Sequence, residues 1–320
     1  MKKYIIYGAG HDGIVTLNYL KKENVAYFCD STMYGNTIEG IPVVPPEGLE
    51  SEAGGRIVVL AVSKPQFIIE ISRNLYSMGI DFVYWKDAVT EKIRDEANYY
   101  SKINNSGFFQ YDPFKEYIII SDRFKKAGTI RSYFWQDLWA AQKIFQKAPR
   151  RHFDIGSRVD GFISHLLSFG QLVTQIDIRP LDCQIPGFDF VQADATDLNG
   201  IDDESISSLS ALCSLEHFGL GRYGDSIDPD ACFKCFKAIQ RVIKKHGDVY
   251  ISVPIGKEHL EFNAHRVFRA DTIVKSFDKM ELKEFSSCFR DEIEKNIDLH
   301  AYDEWDEYGG ERFGLFHFVK

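Results

Sequence analysis

The stretch "HFDIGSRVDGFISHLLSFGQLVTQIDIRPLD", residues 152–182, reads as a strand, a tight turn, a helix and a second strand that ends on an acid. HFDI (residues 152–155) is short and carries Asp154 to the edge of a turn containing Gly156. In "GFISHLLSFG" the apolar residues Phe162, Ile163, Leu166 and Leu167 recur at helical spacing, and Gly170 supplies the stop. LVTQIDI follows with strand character and reaches Asp177, 23 residues beyond Asp154, the separation at which a carboxylate meets ribose hydroxyls in nucleotide-binding βαβ units. The turn departs from the dinucleotide pattern, because Arg158 and Asp160 stand where further glycines are expected and Gly161 comes late.

The acid before the first glycine discriminates between cofactors. A carboxylate at that point repels a pyrophosphate, whereas S-adenosylmethionine carries an ammonium and a sulfonium and no phosphate. Asp154 therefore favours the methyl donor over a nicotinamide dinucleotide.

Working outward, the chain of 320 residues has room for two domains. A second βαβ pattern opens it: a strand at Tyr4 to Tyr7, the glycines Gly8, Gly10 and Gly13, a helix with Ile14, Val15, Leu17 and Leu20, and a strand ending at Asp30. A further strand is expected at Ile57 to Ala61. Residues 89–130 are polar and turn-rich and read as a connector, and "TIRSYFWQDLWAAQKIFQK" reads as an amphipathic helix closed by Pro149. The expected organisation is thus 1–88, a connector over 89–130, and 131–320, an α/β protein of two Rossmann-like domains.

A formal net charge of -9 argues against nucleic acid as a partner and for a small or nucleotide-linked substrate. No stretch approaches the roughly 20 apolar residues of a membrane span, and Met1-Lys2-Lys3-Tyr4 leads into a strand, so a soluble, cytoplasmic protein is expected, with a homo-oligomer left open. Six scattered cysteines make no disulfide framework, and Cys232 and Cys235 form a lone CxxC inside a helical pattern with no histidine pair to complete a zinc site. The acids Asp303, Glu304, Asp306 and Glu307 read as a solvated loop. No metal is expected.

These residues resemble the class I S-adenosylmethionine-dependent methyltransferases. "RHFDIGSRVDGFISHLLSF" and "IDIRPL" are similar to an uncharacterised bacterial methyltransferase-like family found around surface-polysaccharide genes, over most of residues 131–275. The resemblance implies a mostly parallel seven-stranded sheet with an antiparallel edge made by "MELKEFSSCF" and "FGLFHFVK". It implies that Asp154, Gly156, Ser157 and Arg158 border the methionine part of the donor, with Arg158 either covering its carboxylate or pairing with Asp160. By the same resemblance Asp177 and Ile178 hold the ribose, Asp194 and Ala195 the adenine, and Ser214, Leu215, Glu216 and His217 the floor of the transfer site. The first 88 residues, "GNTIEGIPV" (35–43) above all, resemble the Rossmann-like N-terminal domain of sugar O-acyltransferases, which implies a nucleotide-sugar or substrate role for Gly8, Gly10 and Asp30.

Methyl transfer requires alignment and, for an oxygen or nitrogen acceptor, a base. "PIGKEHLEFNAHRVF" supplies His265 as the first candidate base, with Asn263 and Arg266 to hold an anionic acceptor. His217 with Glu216 is the second candidate pair, and Tyr223 reads as a turn residue or a gate. The expected function is methylation of a sugar or nucleotide-linked intermediate of bacterial surface glycans. Two alternatives stand beside it: a donor- or nucleotide-sugar-binding assembly protein without turnover, and an oxidoreductase using Gly8, Gly10, Gly13 and Asp30.

Overall fold

The computed structural model describes residues 3–49, 55–306 and 309–320, and the chain divides into two compact units, Met1–Gly128 and Thr129–Lys320. The stretch 89–130, expected as a connector, lies almost wholly in the first unit.

In the first unit the chain runs β1 (Tyr4–Tyr7), α1 (His11–Leu20), β2 (Val25–Cys29), β3 (Thr37–Ile38), β4 (Ile41–Val44), β5 (Ile57–Leu60), α2 (Pro65–Ser77), β6 (Phe82–Tyr84) and α3 (Trp85–Ile103). Its sheet has the order β3-β4-β2-β1-β5-β6, parallel throughout except for the short β3 hairpin edge. Successive residues of β1, β2 and β5 are buried on opposite faces: Ile6, Phe28 and Val59 in one cluster and Ile5, Cys29 and Val58 in another. Such double burial is what helices on both faces of a parallel sheet impose. Gly8 (φ +114) is needed because a Cβ there would lie 2.4 Å from the Ala61 carbonyl oxygen, where the end of β5 meets the turn.

The second unit opens with α4 (Ser132–Lys147) and continues through β7 (His152–Ile155), a π-helical turn at Val159–Ile163, α5 (Ser164–Ser168), β8 (Val173–Asp177), β9 (Phe188–Gln192) and β10 (Ile206–Leu212). Then come α6 (Ala231–Val242), β11 (Ile243–Pro254), β12 (His259–Glu261), β13 (His265–Val267), α7 (Ala270–Ser276), β14 (Glu281–Phe289), β15 (Glu292–Glu294) and β16 (Phe313–Val319). The main sheet has the order β15-β14-β16-β11-β10-β7-β8-β9. β9, β8, β7, β10 and β11 are parallel, and β16 inserts antiparallel between β11 and β14. This is the expected parallel sheet with an antiparallel edge, and β15 extends the expected seven strands to eight. The order reverses at β7 and β10, whose carboxyl ends lie side by side, and crevices of this kind are where open α/β sheets take ligands.

Cys232 and Cys235 are buried on the core side of α6 with Phe236 and Ile239. The described residues hold no cluster of three or more potential metal ligands, and none of their helices is long and apolar enough to cross a membrane. In the acidic run, Asp303 pairs with Arg269 and His300, and Asp306 with Lys257; Glu307 lies outside the described residues.

Candidate active site

The turn after β7 is held from below. Asp154 is fully buried; its carboxylate accepts the Ser157 N–H (2.9 Å) and hydroxyl (2.7 Å), the Ser210 hydroxyl and, at 3.4 Å, the Gln175 amide. The Ser157 hydroxyl oxygen in turn accepts the Leu212 N–H at 3.1 Å, tying the turn to β10. Burial pushes the Asp154 carboxyl up to about 6 despite these donors. Asp154 and Ser157 are not among the residues that line the cavity above the turn. The carboxylate acts by shaping the backbone, because its oxygens are already taken up by groups of the protein.

Gly156, above it, has φ +70, and a Cβ would fall 3.0 Å from the Ser214 Cβ and 4.0 Å from Asp177 Oδ2. A side chain there would therefore intrude on the first of two adjoining cavities. That cavity is walled by Ile155, Ile176, Ala193 and Ala195 on its apolar side and by Asp177, Ile178, Asp194 and Ser214 at its polar edge. Asp194 Oδ1 accepts the Thr196 N–H at 2.8 Å, and the Ser214 hydroxyl donates to the Ile155 carbonyl at 2.7 Å. Leu215 is fully buried in the core and is not among the residues that line the cavity. Both oxygens of Asp177 accept from Arg179: Oδ1 from the backbone N–H (2.8 Å) and Nε (3.0 Å), Oδ2 from Nη2 (2.6 Å).

The second cavity, of about 660 Å³, shares Gly156, Arg179, Cys213, His217 and Tyr223 with the first. Into its wall come Glu216, Arg222, Glu261 and His265, along with Tyr133, Gln136 and Asp137 from α4. Arg158 reaches it too, and of the two roles open to that residue the structure has the pair with Asp160, at 2.8 Å. Burial raises the Asp137 carboxyl to about 6.

The two histidines differ in how they are held. His217 Nδ1 lies 2.7 Å from the Ala264 carbonyl oxygen, which requires a proton on Nδ1 and leaves Nε2 as the lone pair, 3.5 Å from Glu216 Oε1. Glu216 is 2% exposed, its Oε2 has no hydrogen-bond partner, and burial pushes its carboxyl up to about 8. Burial also pushes His217 down to about 4. His265 Nε2 approaches Glu261 Oε2 at 3.4 Å, in the space left by Gly310, where a Cβ would lie 2.6 Å from that nitrogen. Burial lowers His265 against the pull of Glu261. Burial opposes the charge on Glu261, but the Gly309 N–H at 2.9 Å and the two flanking histidines, His259 and His265, hold its carboxyl below the ordinary range.

Arg266 and Asn263 are not among the residues that line the two cavities. The Arg266 guanidinium donates to the carbonyls of Phe218 (2.6 Å), Glu216 (3.3 Å) and Pro229 (3.3 Å), and so braces the segment after β10. In the first unit the Asp30 carboxylate is likewise spent on its own loop, accepting the Ala9, Thr32 and Met33 N–H groups and the Thr32 hydroxyl, while Gly8 and Gly10 border the turn it ties.

The chain is similar to several proteins over part of its length. The family described as "Caenorhabditis protein of unknown function, DUF268" matches residues 195–308, just over a third of the chain. Among solved structures, the chain is similar to 1,6-didemethyltoxoflavin-N1-methyltransferase of Burkholderia thailandensis, with bound S-adenosylhomocysteine, at 15% identity and a TM-score of 0.39, covering 58% of this chain and 79% of that one. It is similar to the N-methyltransferase NodS of Bradyrhizobium japonicum, in complex with S-adenosylhomocysteine, at 11% identity and 0.40, covering 59% and 88%. A third is an S-adenosylmethionine-dependent methyltransferase of Archaeoglobus fulgidus, at 14% and 0.39, covering 57% and 94%. No curated protein matches the sequence.

The titrations have a measurable consequence. Below pH 6.5 the groups oppose one another: raised Asp137, Asp154 and Glu216 lose stability as pH rises, while the depressed His152 and His217 gain it. Between pH 6.5 and 8 Glu216 leads, protonated when folded and ionised when unfolded, with the raised His259 acting in the same direction, so stability falls as pH rises through that window. Over this range the loss is about 2 kcal/mol. Thermal melts at pH 6.5 and 8 should show it, and Glu216→Gln should flatten the slope; an unchanged slope in the variant would place the titration elsewhere.

Proposed function

We propose that the second unit is an S-adenosylmethionine-dependent methyltransferase whose acceptor is a sugar or nucleotide-linked intermediate of a bacterial surface glycan. The observation that carries the donor assignment is the pair of adjoining cavities at the carboxyl ends of β7, β8, β9 and β10. The first offers apolar walls for a purine and two carboxylates, Asp177 and Asp194, at its edge; His217 stands at the shared boundary and His265 in the wall of the second. The residues fit the donor: glycine at 156 keeps the cavity clear of a side chain, Asp177 is placed for vicinal hydroxyls, and Asp194 for an amino group. The bound donor would supply a methyl group on a positively charged sulfur. The protein's own work is to align the acceptor, exclude water and take up its proton, and His265, kept neutral by burial and faced by an ionised Glu261, suits the last task. The acceptor class is supported by the sequence resemblance of residues 131–275, and the first unit is assigned the presentation of that acceptor.

Calorimetry with S-adenosylhomocysteine tests the donor. The wild type should bind it, and Asp177→Ala should weaken binding about 10- to 100-fold, the worth of hydrogen bonds to a charged group. Equal affinity in the variant would remove Asp177 from the site. Transfer of radiolabel from the donor into a cell-extract component separates an active enzyme from a binding protein.

A further inference from the structure

Arg179 occupies an unusual place. Its guanidinium is bidentate on Asp177, the carboxylate assigned to the ribose, yet it also lines the second cavity, and its side chain is half exposed while that of Asp177 is 9% exposed. It lies over the Tyr223 ring at 4.5 Å, and Arg222 approaches the same ring at 5.2 Å. Arg222 is fixed by a backbone carbonyl, Ala264 O at 2.9 Å.

We infer that Arg179 is a latch between the two cavities: when an adenosyl ribose takes over Asp177, the released guanidinium joins Arg222 across Tyr223 to bind a phosphate or carboxylate of the acceptor. The inference rests on the donor assignment above. A planar guanidinium that loses a bidentate carboxylate seeks another oxyanion of matching geometry, and two guanidinium groups flanking one ring are held together best by a shared anion. Of the carboxyls in the second cavity's wall, Glu216 does not compete, because it is buried and retains its proton at neutral pH, and Glu261 is engaged by the Gly309 N–H and by His259 and His265. Donor binding then creates the anion site, and by linkage the anion must tighten donor binding by the same factor.

The test is calorimetry on the full chain with S-adenosylhomocysteine and, separately, inorganic phosphate and glucuronate. For at least one of these anions, affinity should rise about 10-fold when S-adenosylhomocysteine is saturating, and the reverse titration should show the same factor. Which of the two anions is coupled distinguishes a phosphate from a carboxylate. Arg179→Ala should bind S-adenosylhomocysteine as well as the wild type or about 3-fold tighter, since the ion pair no longer competes with the ribose, and should lose the coupling. Arg222→Ala should lose the anion with donor affinity unchanged. Anion affinity indifferent to the donor in the wild type, or coupling retained in Arg179→Ala, overturns the latch alone; absence of S-adenosylhomocysteine binding to the wild type overturns the donor assignment and the latch with it.

Discussion

Replacing Asp154 with alanine is expected to lower the melting temperature of the second unit by about 10 °C and to abolish S-adenosylhomocysteine binding, although the residue lines neither of the two cavities. The carboxylate is held at a cost, as its raised titration near 6 shows, so little is lost with the charge itself. What is lost is the acceptor for the Ser157 N–H, the Ser157 hydroxyl and the Ser210 hydroxyl, all in the buried floor of the turn. Orphaned buried donors cost about 1 to 3 kcal/mol each, and with partial re-pairing the sum is about 3 kcal/mol. The turn then loses its anchor to β10 through Ser157 and Leu212, and Gly156 loses its place at the cavity wall. Asp154→Asn, which keeps the shape and one acceptor oxygen, should fall between. Scanning calorimetry and donor titration measure both effects; a stable Asp154→Ala protein that still binds would mean that the carboxylate does not hold the turn.

This result bears on what the sequence disclosed. The strands HFDI and LVTQIDI, the glycine stop at 170 and the acid at 177 follow from local period and spacing, and the structure forms each of them where the pattern puts it. The same local pattern cannot report depth. Asp154 was expected to face a cationic ligand, and it faces Ser157 and Ser210; the difference lies in the direction of one side chain beneath a turn, which no spacing encodes. Arg266 was expected to bind an anion and instead braces three carbonyls, because a guanidinium beside the open backbone after β10 satisfies groups that would otherwise be unpaired. The contributions of Tyr133, Gln136 and Asp137 were missed for a different reason. Their helix reads as an amphipathic packing element, and only the insertion of β16 beside β11 brings Phe313 against Tyr133 at the far side of the cavity. The signal that was available was polar: Gln136 and Asp137 interrupt an aromatic run on a helix face that buries both.

Under the proposed methyl transfer, His265→Ala should slow the reaction by about 10²- to 10³-fold, the usual worth of a positioned base, while leaving the affinity for S-adenosylhomocysteine unchanged. The split follows from placement, since His265 lines the second cavity only, whereas His217 lines both and should disturb binding and rate together. A base must be unprotonated when the acceptor arrives. Burial lowers His265, so the rate should stay level through neutral pH and decline only at a pH below that of an ordinary histidine. Glu261→Gln removes a carboxylate that favours the protonated ring, and should move that decline to still lower pH with a smaller loss of rate. Initial rates of label transfer against pH, measured beside donor titrations, separate these outcomes. If His265→Ala retained more than about a third of the wild-type rate, His265 would not be the base.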